Sequence, residues 1–303
     1  MNYRCVVLIK QVPDTKRITG EVMNDDGTVK RSALPAIFNP EDLNALELAL
    51  QIKDAFGGRV TAVTMGLSAA SAILRDSLYR GADDAILITD KRCAASDTLA
   101  TSYILSCAVR KLDYDIVLCG RQAIDGDTAQ VGPQLAEKLG ITQITYVEEL
   151  IELAGKTITA RRNIGNGWQK VRAELPVLLT VTGNANEPRV AAARKMMKYK
   201  KARAPIEVER QLREDNPDAD DAEIAELVNL RCKDLEKKGL LIKQWDLDAL
   251  GADLNWCGAR GSPTKVHRIQ SVVLTAKDSK EVKPTAEGLA DMIHELIEEK
   301  TIA

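Results

Sequence analysis

The chain has 303 residues, 45% of them hydrophobic and 28% charged, with a formal net charge of −2. This is the balance of an ordinary folded domain, long enough to bury a sizeable core in one large or two small units. A near-neutral charge supplies no global field for nucleic acid or membrane, and 4% aromatic residues are too few for a base-stacking binder. Cys5, Cys93, Cys107, Cys119, Cys232 and Cys257 form no CxxC, so neither a zinc site nor an iron–sulfur ligand set is written in the chain. Several lie in apolar runs and read as buried thiols of a reducing compartment. His267 and His294 stand late, among charged residues, which speaks against a histidine triad or metal site. Residues 1–10 read as a strand rather than a signal peptide, and no long apolar run follows, so a cytoplasmic protein without a membrane span is expected.

Residues 4–9 (RCVVLI) read as a buried strand. Open α/β sheets place ligands at the carboxyl ends of their strands. Lys10 is therefore a candidate phosphate or flavin contact; a solvated lysine is the plain alternative. Residues 18–35 are polar, with a hairpin-type turn at Asp26-Gly27. Asn39-Pro40-Glu41-Asp42 opens a helix to about Phe56: Asn39 suits the cap, Pro40 the first helical position, and Leu43, Leu46 and Leu50 form the core stripe. After Gly57-Gly58 come a strand at 60–65, then Met65-Gly66 at its carboxyl end, and a helix at 68–80 closed by Gly81. A short strand at 85–89, a helix at 98–111 and an apolar strand at 116–119 complete the alternation. Strands alternating with helices through residue 140 predict a doubly wound, mostly parallel α/β sheet.

The stretch from 120 to 134, GRQAIDGDTAQVGPQ, follows that last strand and precedes a helical run of Val131, Leu135 and Leu139. Strand, small-residue turn and helix start make an anion-binding corner, because the first N–H groups of a helix lack internal partners and sit at its positive end. Gly126 and Gly132 would let backbone approach a ligand, and Asp127 and Thr128 could cap the helix or bond ribose and phosphate. The stretch is neither GxGxxG nor a Walker A loop. An ordinary capped helix entry remains the alternative.

QAIDGDTAQVGP resembles the nucleotide loop of the electron-transfer flavoprotein β-subunit family, and its Gly126–Pro133 half is similar to that of electron-bifurcating members, which hold FAD where ordinary shuttles hold AMP. The resemblance implies a Rossmann-like three-layer sandwich, adenine nucleotide α-hydrolase-like, without the dinucleotide glycine fingerprint. It implies cofactor contacts at Ile9, Lys10, Asn39, Met65 and Gly66, and along the loop at Ala123, Ile124, Asp125, Gly126, Asp127, Thr128, Ala129, Gln130, Val131, Gly132, Pro133 and Gln134. Asn39 would then act both as cap and as border of the nucleotide.

Strands are expected at 142–153, 157–162, 168–172 and 177–181, with a turn at 163–167. The family's signature over 160–180 is met at Arg162, Gln169, Val171, Pro176, Leu178, Leu179 and Thr180, and departs at Gly165 and Asn166 within that turn. Asn186-Glu187-Pro188-Arg189 resembles the turn that introduces the family's partner-docking loop. Ala193 stands where ordinary members carry an anchoring leucine, a loss of roughly 1.5–2.5 kcal/mol of burial. Arg194, Lys195, Lys198, Lys200, Lys201 and Arg203 form a basic run, read either as a solvated face or as steering for an acidic redox partner.

Ala204-Pro205 is the expected boundary between a nucleotide-binding α/β domain (1–205) and a C-terminal arm (206–303) without a core of its own. The arm contains a charged helical insertion, a family-like GSPTKV at 261–266, and an amphipathic helix carrying Leu289, Met292, Ile293, Leu296 and Ile297. The resemblance implies that this arm packs on an α subunit. The helix's polar side is rich in Glu, which disfavours a membrane surface.

No nucleophile–base constellation is visible, so redox chemistry must come from a cofactor. The resemblance implies FAD taking a hydride from NADH, with one electron passed to ferredoxin or flavodoxin and the other, through an α-subunit FAD, to an acyl-CoA-type or lactate-type dehydrogenase. The alternatives are an AMP-binding electron shuttle and a stress-type nucleotide module; for an ATP-pyrophosphatase the first strand lacks the Ser-Gly-Gly loop.

Overall fold

The computed structural model describes residues 2–14, 35–264 and 281–298. The turn expected at Asp26-Gly27, His267 and the end of the 261–266 segment lie outside them. Strand β1 (Tyr3–Leu8) leads into a short antiparallel ribbon of β2 (Gln11–Pro13) and β3 (Ala36–Phe38), and then into helix α1 (Pro40–Phe56). There follow β4 (Gly58–Met65), α2 (Ser71–Arg80), β5 (Asp84–Ile88), α3 (Thr98–Val109), β6 (Ile116–Gly120) and α4 (Val131–Leu139). Next come β7 (Thr142–Ala154), β8 (Thr157–Asn163), β9 (Trp168–Glu174) and β10 (Val177–Val181). Helices α5 (Ala193–Tyr199), α6 (Pro205–Asp215) and α7 (Asp221–Lys237), strand β11 (Lys243–Trp245), and helices α8 (Leu247–Leu250) and α9 (Ala286–Glu298) complete the described chain.

One nine-stranded sheet carries the fold in the order β11-β5-β4-β1-β6-β10-β7-β8-β9. The pairs from β11 to β7 are parallel, and β8 and β9 continue the sheet as an antiparallel hairpin. Alternation along β1 decides the two faces. Cys5, Val7 and Ile9 pack with α1 and α2, while Val6 and Leu8 pack with α3 and α4. The expected doubly wound α/β three-layer fold is what forms.

The edges of the sheet depart from the expected division of the chain. Residues 205–264 do not form an arm apart from the domain: β11 adds a parallel strand beside β5, Ala204 and Ile242 join the core on the α1–α2 face, and Leu247, Leu250 and Cys257 join the other. Arg75 of α2 donates to both carboxylate oxygens of Glu207 on α6, at 3.0 and 2.9 Å. Ser262 and Thr264 are lashed to the start of α3: Asp97 N–H donates to Ser262 Oγ at 2.8 Å, and Thr264 Oγ1 donates to Asp97 Oδ2 at 2.6 Å. A three-residue strand carries no readable period, so its pairing was hidden in the sequence. In helix α9 none of the residues is buried, and Leu289, Ile293 and Ile297 are about half exposed.

The first turn of α1 is bolted to the middle of the sheet by a buried carboxylate. Asp42 Oδ2 accepts from the Lys10 N–H after β1, and its Oδ1 accepts from the Gly120 N–H at the end of β6, both at 2.8 Å. Burial pushes the Asp42 carboxyl up to about 7, with the two N–H donors opposing the rise. Gly120 permits this approach: a Cβ there would lie 2.6 Å from Asp42 Oδ1 and 2.8 Å from Asp42 N.

Gly120→Ala should therefore lower stability by roughly 1–3 kcal/mol through overpacking, read from chemical denaturation. A pH dependence follows from Asp42. Between an unfolded-state value near 4 and about 7, the folded chain keeps a proton that the unfolded chain has released. This contribution is fully present below about pH 4 and is lost as pH rises toward 7. The stability difference between wild type and Asp42→Asn should shrink across that window in denaturation midpoints taken at a series of pH values; a constant difference would contradict the assignment.

Candidate functional site

The strand order turns at β1. The chain builds β4 and β5 on one side of it, then crosses back to lay β6 on the other. In open α/β sheets the crevice outside the carboxyl ends at such a point receives ligands. Ile9-Lys10 follow β1 there, Met65-Gly66 end β4, and the 120–134 corner follows β6, so the structure brings the expected residues to one edge of the sheet.

The corner is held from α1. Asn39 Nδ2 donates to the Gln122 carbonyl at 2.9 Å, and Asn39 Oδ1 accepts from the Ile124 N–H at 3.2 Å. Glu41 accepts from the Gln122 N–H at 3.0 Å and pairs with Arg121 at 3.0 Å. This corrects the expectation for Asn39: its side chain makes no cap bond to α1, and only its main-chain carbonyl starts the helix by accepting from Asp42 and Leu43. The fully buried amide has two loop partners across the crevice, which satisfy it better than a cap at a proline-led helix start.

Beyond Ile124 the loop turns tightly, with the Ala123 carbonyl accepting from the N–H groups of Gly126 and Asp127. Asp127 and Ala129 lie in the left-handed region, at φ 49° and 52°. Each such non-glycine residue costs on the order of 1 kcal/mol, a strain that clusters at functional sites. Of the roles open to Asp127 and Thr128, neither caps α4: Asp127 Oδ1 accepts from Gln122 Nε2 at 3.1 Å, and the cap position falls to Gln130, which makes no side-chain cap bond. Gln130 instead accepts from Thr98 Oγ1 at 2.9 Å. Among the described residues, no acceptor meets the main-chain N–H groups of Thr128, Ala129, Gln130, Val131 or Gly132.

Three further features bear on a ligand. Gln134 Oε1, in the first turns of α4, is buried without a hydrogen-bond partner, as are Thr64 Oγ1 beside Met65 and Ser71 Oγ at the start of α2. A Cβ on Gly126 would meet nothing within 4 Å, so the chain leaves open space beside it. Lys10 is neither free nor simply solvated: its Nζ bonds both carboxylate oxygens of Asp125, at 2.8 and 2.9 Å, and pins the loop to the end of β1. Gly132 has a different reason from the one expected. A Cβ there would lie 2.7 Å from Thr180 Cγ2 and 2.9 Å from Cys119 Sγ, so it lets α4 pack on the sheet. A run of unpaired amides at the positive end of a helix, beside an orphaned buried carbonyl, fits a phosphate-bearing nucleotide. Thr64, Ser71 and Thr98 were not legible in the sequence, because a hydroxyl in a strand or helix start carries no signal of what it will face. Among the described residues no cluster of His, Cys, Asp and Glu could hold a metal, and no helix is long and apolar enough to cross a membrane.

The segment that resembles the family's partner-docking loop is also held by α1. Asn186 exchanges amide bonds with Asn44, at 2.7 and 3.0 Å, and Arg189 donates three hydrogen bonds to Glu47, one from its main-chain N–H at 3.0 Å and two from its guanidinium at 2.8 and 3.0 Å. The segment then presents Val190, Met196 and Met197, all exposed, around Ala193.

Asn39→Ala leaves the Gln122 carbonyl and the Ile124 N–H without partners, at about 1–3 kcal/mol for each group that stays buried. Amide hydrogen exchange at Ile124 should quicken at least tenfold while that of the β4 core stays within twofold.

The electron transfer flavoprotein domain matches residues 26–210. The chain is 38% identical over 297 residues to the electron transfer flavoprotein subunit beta of Clostridium acetobutylicum, covering 98% of this chain and 99% of that one. It is 41% identical over 271 residues to the protein FixA of Azorhizobium caulinodans, covering 87% and 83%. It is 47% identical over 191 residues to the acryloyl-CoA reductase electron transfer subunit gamma of Anaerotignum propionicum, covering 61% and 70%. These matches, on a doubly wound sheet with an open corner of main-chain amides at its switch point, place the chain in the electron-transfer flavoprotein β-subunit family.

Proposed function

We propose that this β subunit is of the electron-bifurcating type and holds FAD, rather than AMP, at the corner after β6. The observation that carries the reading is the Gly126–Pro133 sequence on a loop whose amides from Thr128 to Gly132 lack partners among the described residues. Those amides would receive the pyrophosphate at the start of α4. Gln134, through its orphaned Oε1, would accept from a ribose hydroxyl. Met65, Gly66 and Ile9 would border the adenosine, with Asn39 and the Lys10–Asp125 pair keeping the loop in place. When bound, FAD supplies hydride acceptance and one-electron release, which no side chain of the site can supply. The chain's own part is to grip, orient and dry the cofactor.

In this reading NADH is the hydride donor. Ferredoxin or flavodoxin and an α-subunit FAD are the two acceptors, and the α subunit passes its electron to an acyl-CoA-type or lactate-type dehydrogenase. The name of the acryloyl-CoA reductase relative supports the acyl-CoA class. The exposed apolar side of α9 is offered to the α subunit, because a helix with this stripe and no buried residue has its packing partner elsewhere. The complex would work in the cytoplasm.

The co-purified αβ complex should contain two FAD per heterodimer and bleach with NADH; one FAD with one AMP overturns the reading. Gly126→Val tests the loop itself. The chain has room for the added methyl groups, so the fold should stand, whereas a ligand lying against Gly126 would be displaced. FAD affinity at the β site should fall at least about a hundredfold, near 2.7 kcal/mol, while the α-site flavin stays bound. Two flavins retained at unchanged affinity would mean that the loop is not the cradle.

A further inference from the structure

The start of α3 joins two parts of the chain that the sheet leaves apart. Asp97 caps the helix, its Oδ1 accepting from the N–H groups of Leu99 and Ala100, both at 3.0 Å. Its other oxygen is given to the C-terminal stretch: Oδ2 accepts from the Thr264 N–H at 3.0 Å and from Thr264 Oγ1 at 2.6 Å. Asp97 N–H donates to Ser262 Oγ at 2.8 Å, and the buried Ser262 hydroxyl donates onward to the Gly258 carbonyl at 2.7 Å. Gly258 lies so close to the chain before Asp97 that a Cβ on it would stand 2.2 Å from the Arg92 carbonyl oxygen. Residues 258–264 are thus seated on residues 92–97.

The next residue faces the corner. Thr98 Oγ1 donates to Gln130 Oε1 at 2.9 Å and accepts from Gln134 Nε2 at 3.4 Å. Gln134 is the residue whose Oε1 is buried without a partner among the described residues. Its amide is therefore held at one end by a long bond and at the other by nothing. A ligand hydroxyl on Oε1 would fix the plane of that amide and with it the direction in which Nε2 meets Thr98. The backbone between the two contacts is not slack. Among the described residues the non-glycine positions with left-handed backbone are Ala95, Asp127, Ala129 and Tyr146. Ala95, at φ 58°, stands two residues before Asp97, with its carbonyl oxygen 3.2 Å from Ser262 Oγ. Such a conformation persists only where its surroundings over-determine it.

We propose that Thr98 is a positioning residue for the nucleotide at the corner, and that through Asp97 it couples a filled corner to a seated 258–264 stretch. This rests on the corner reading above and holds for FAD and AMP alike, since both carry the adenosine phosphate that Gln134 and the open amides would meet. The contact that differs between the empty and the filled state is the Gln134 amide, which is anchored at both ends only when a ligand is present. Such coupling is reciprocal: whatever the nucleotide adds to the seating of the stretch, the seated stretch adds to nucleotide affinity. Sites joined in this way change each other's affinity by about 5–150-fold, so an effect of several-fold is the size expected.

The test uses the αβ complex depleted of its β-site nucleotide, as wild type, Thr98→Val, Thr98→Ser and Thr264→Val, each titrated with FAD and with AMP. In wild type the nucleotide that binds should slow amide exchange at Thr264 at least about fivefold, while the β4 core stays within about twofold. Thr98→Val should abolish that slowing although the bonds between Thr264 and Asp97 remain, and Thr98→Ser, which restores the hydroxyl, should bring it back. Thr264→Val, at a side chain that bonds Asp97, should lower nucleotide affinity at least about threefold. Exchange at Thr264 that ignores the nucleotide in wild type overturns the proposal, whether or not the variants fold, and leaves the corner assignment standing. Slowing that persists in Thr98→Val, or affinity unchanged in Thr264→Val, overturns it too. A wild-type complex that takes up neither nucleotide instead overturns the corner reading on which it rests.

Discussion

The first turn of α1 is the part on which the rest of this molecule depends. One carboxylate, Asp42, receives a main-chain N–H from the end of β1 and another from the end of β6, the two strands that flank the switch point. Three residues earlier Asn39 receives and gives a hydrogen bond along the loop that follows β6, and Glu41 takes a third. All five bonds of this set go to main-chain groups where the sheet stops. Breaking one partner of such a buried set costs more than the bond is worth in isolation, because the group left behind has lost its water as well. The helix start thus acts as a template: it decides where the corner lies relative to β1 and β4, and so whether three chain segments can address one ligand.

What the template supports is deliberately unfinished. A domain maximising its own stability would cap α4, give Gln134 a partner and keep Asp127, Ala129 and Tyr146 out of left-handed backbone. Here the side chains that could cap α4 are engaged elsewhere, Asp127 with Gln122 and Gln130 with Thr98. The cost is spread over a sheet whose central strands are fully buried on both faces, and a ligand that binds the folded chain alone would return part of it as stability.

The same helix carries the segment that resembles the family's partner-docking loop. Asn44 and Glu47, one and two turns further along α1, hold Asn186 and Arg189, so the corner after β6 and the exposed Met196–Met197 surface hang from a single helix. The C-terminal stretch binds the opposite edge through β11 and ties Thr264 to Asp97 at the start of α3, where Thr98 touches Gln130 and Gln134. Segments remote in the chain thereby meet around one loop.

Much of this was legible beforehand. Apolar strands of five or six residues alternating with striped helices specify a parallel α/β sheet, because burying both faces leaves few other arrangements. Glycines and prolines marked most element ends to within a few residues, and the strand–turn–helix pattern at 116–139 located the corner. The roles of single polar residues were not legible. Asn39 looked like a cap, Gly132 like a ligand contact and Lys10 like a cofactor contact or a solvated lysine, and each has a partner more than 40 positions away. Local sequence therefore determined the elements and the corner, since period and turn chemistry act over a few residues. Only the tertiary structure decided which strand lies beside which, where β10 and β11 enter the sheet, and which donors remain open, because hydrogen-bond satisfaction is settled by whatever the fold brings within 3 Å.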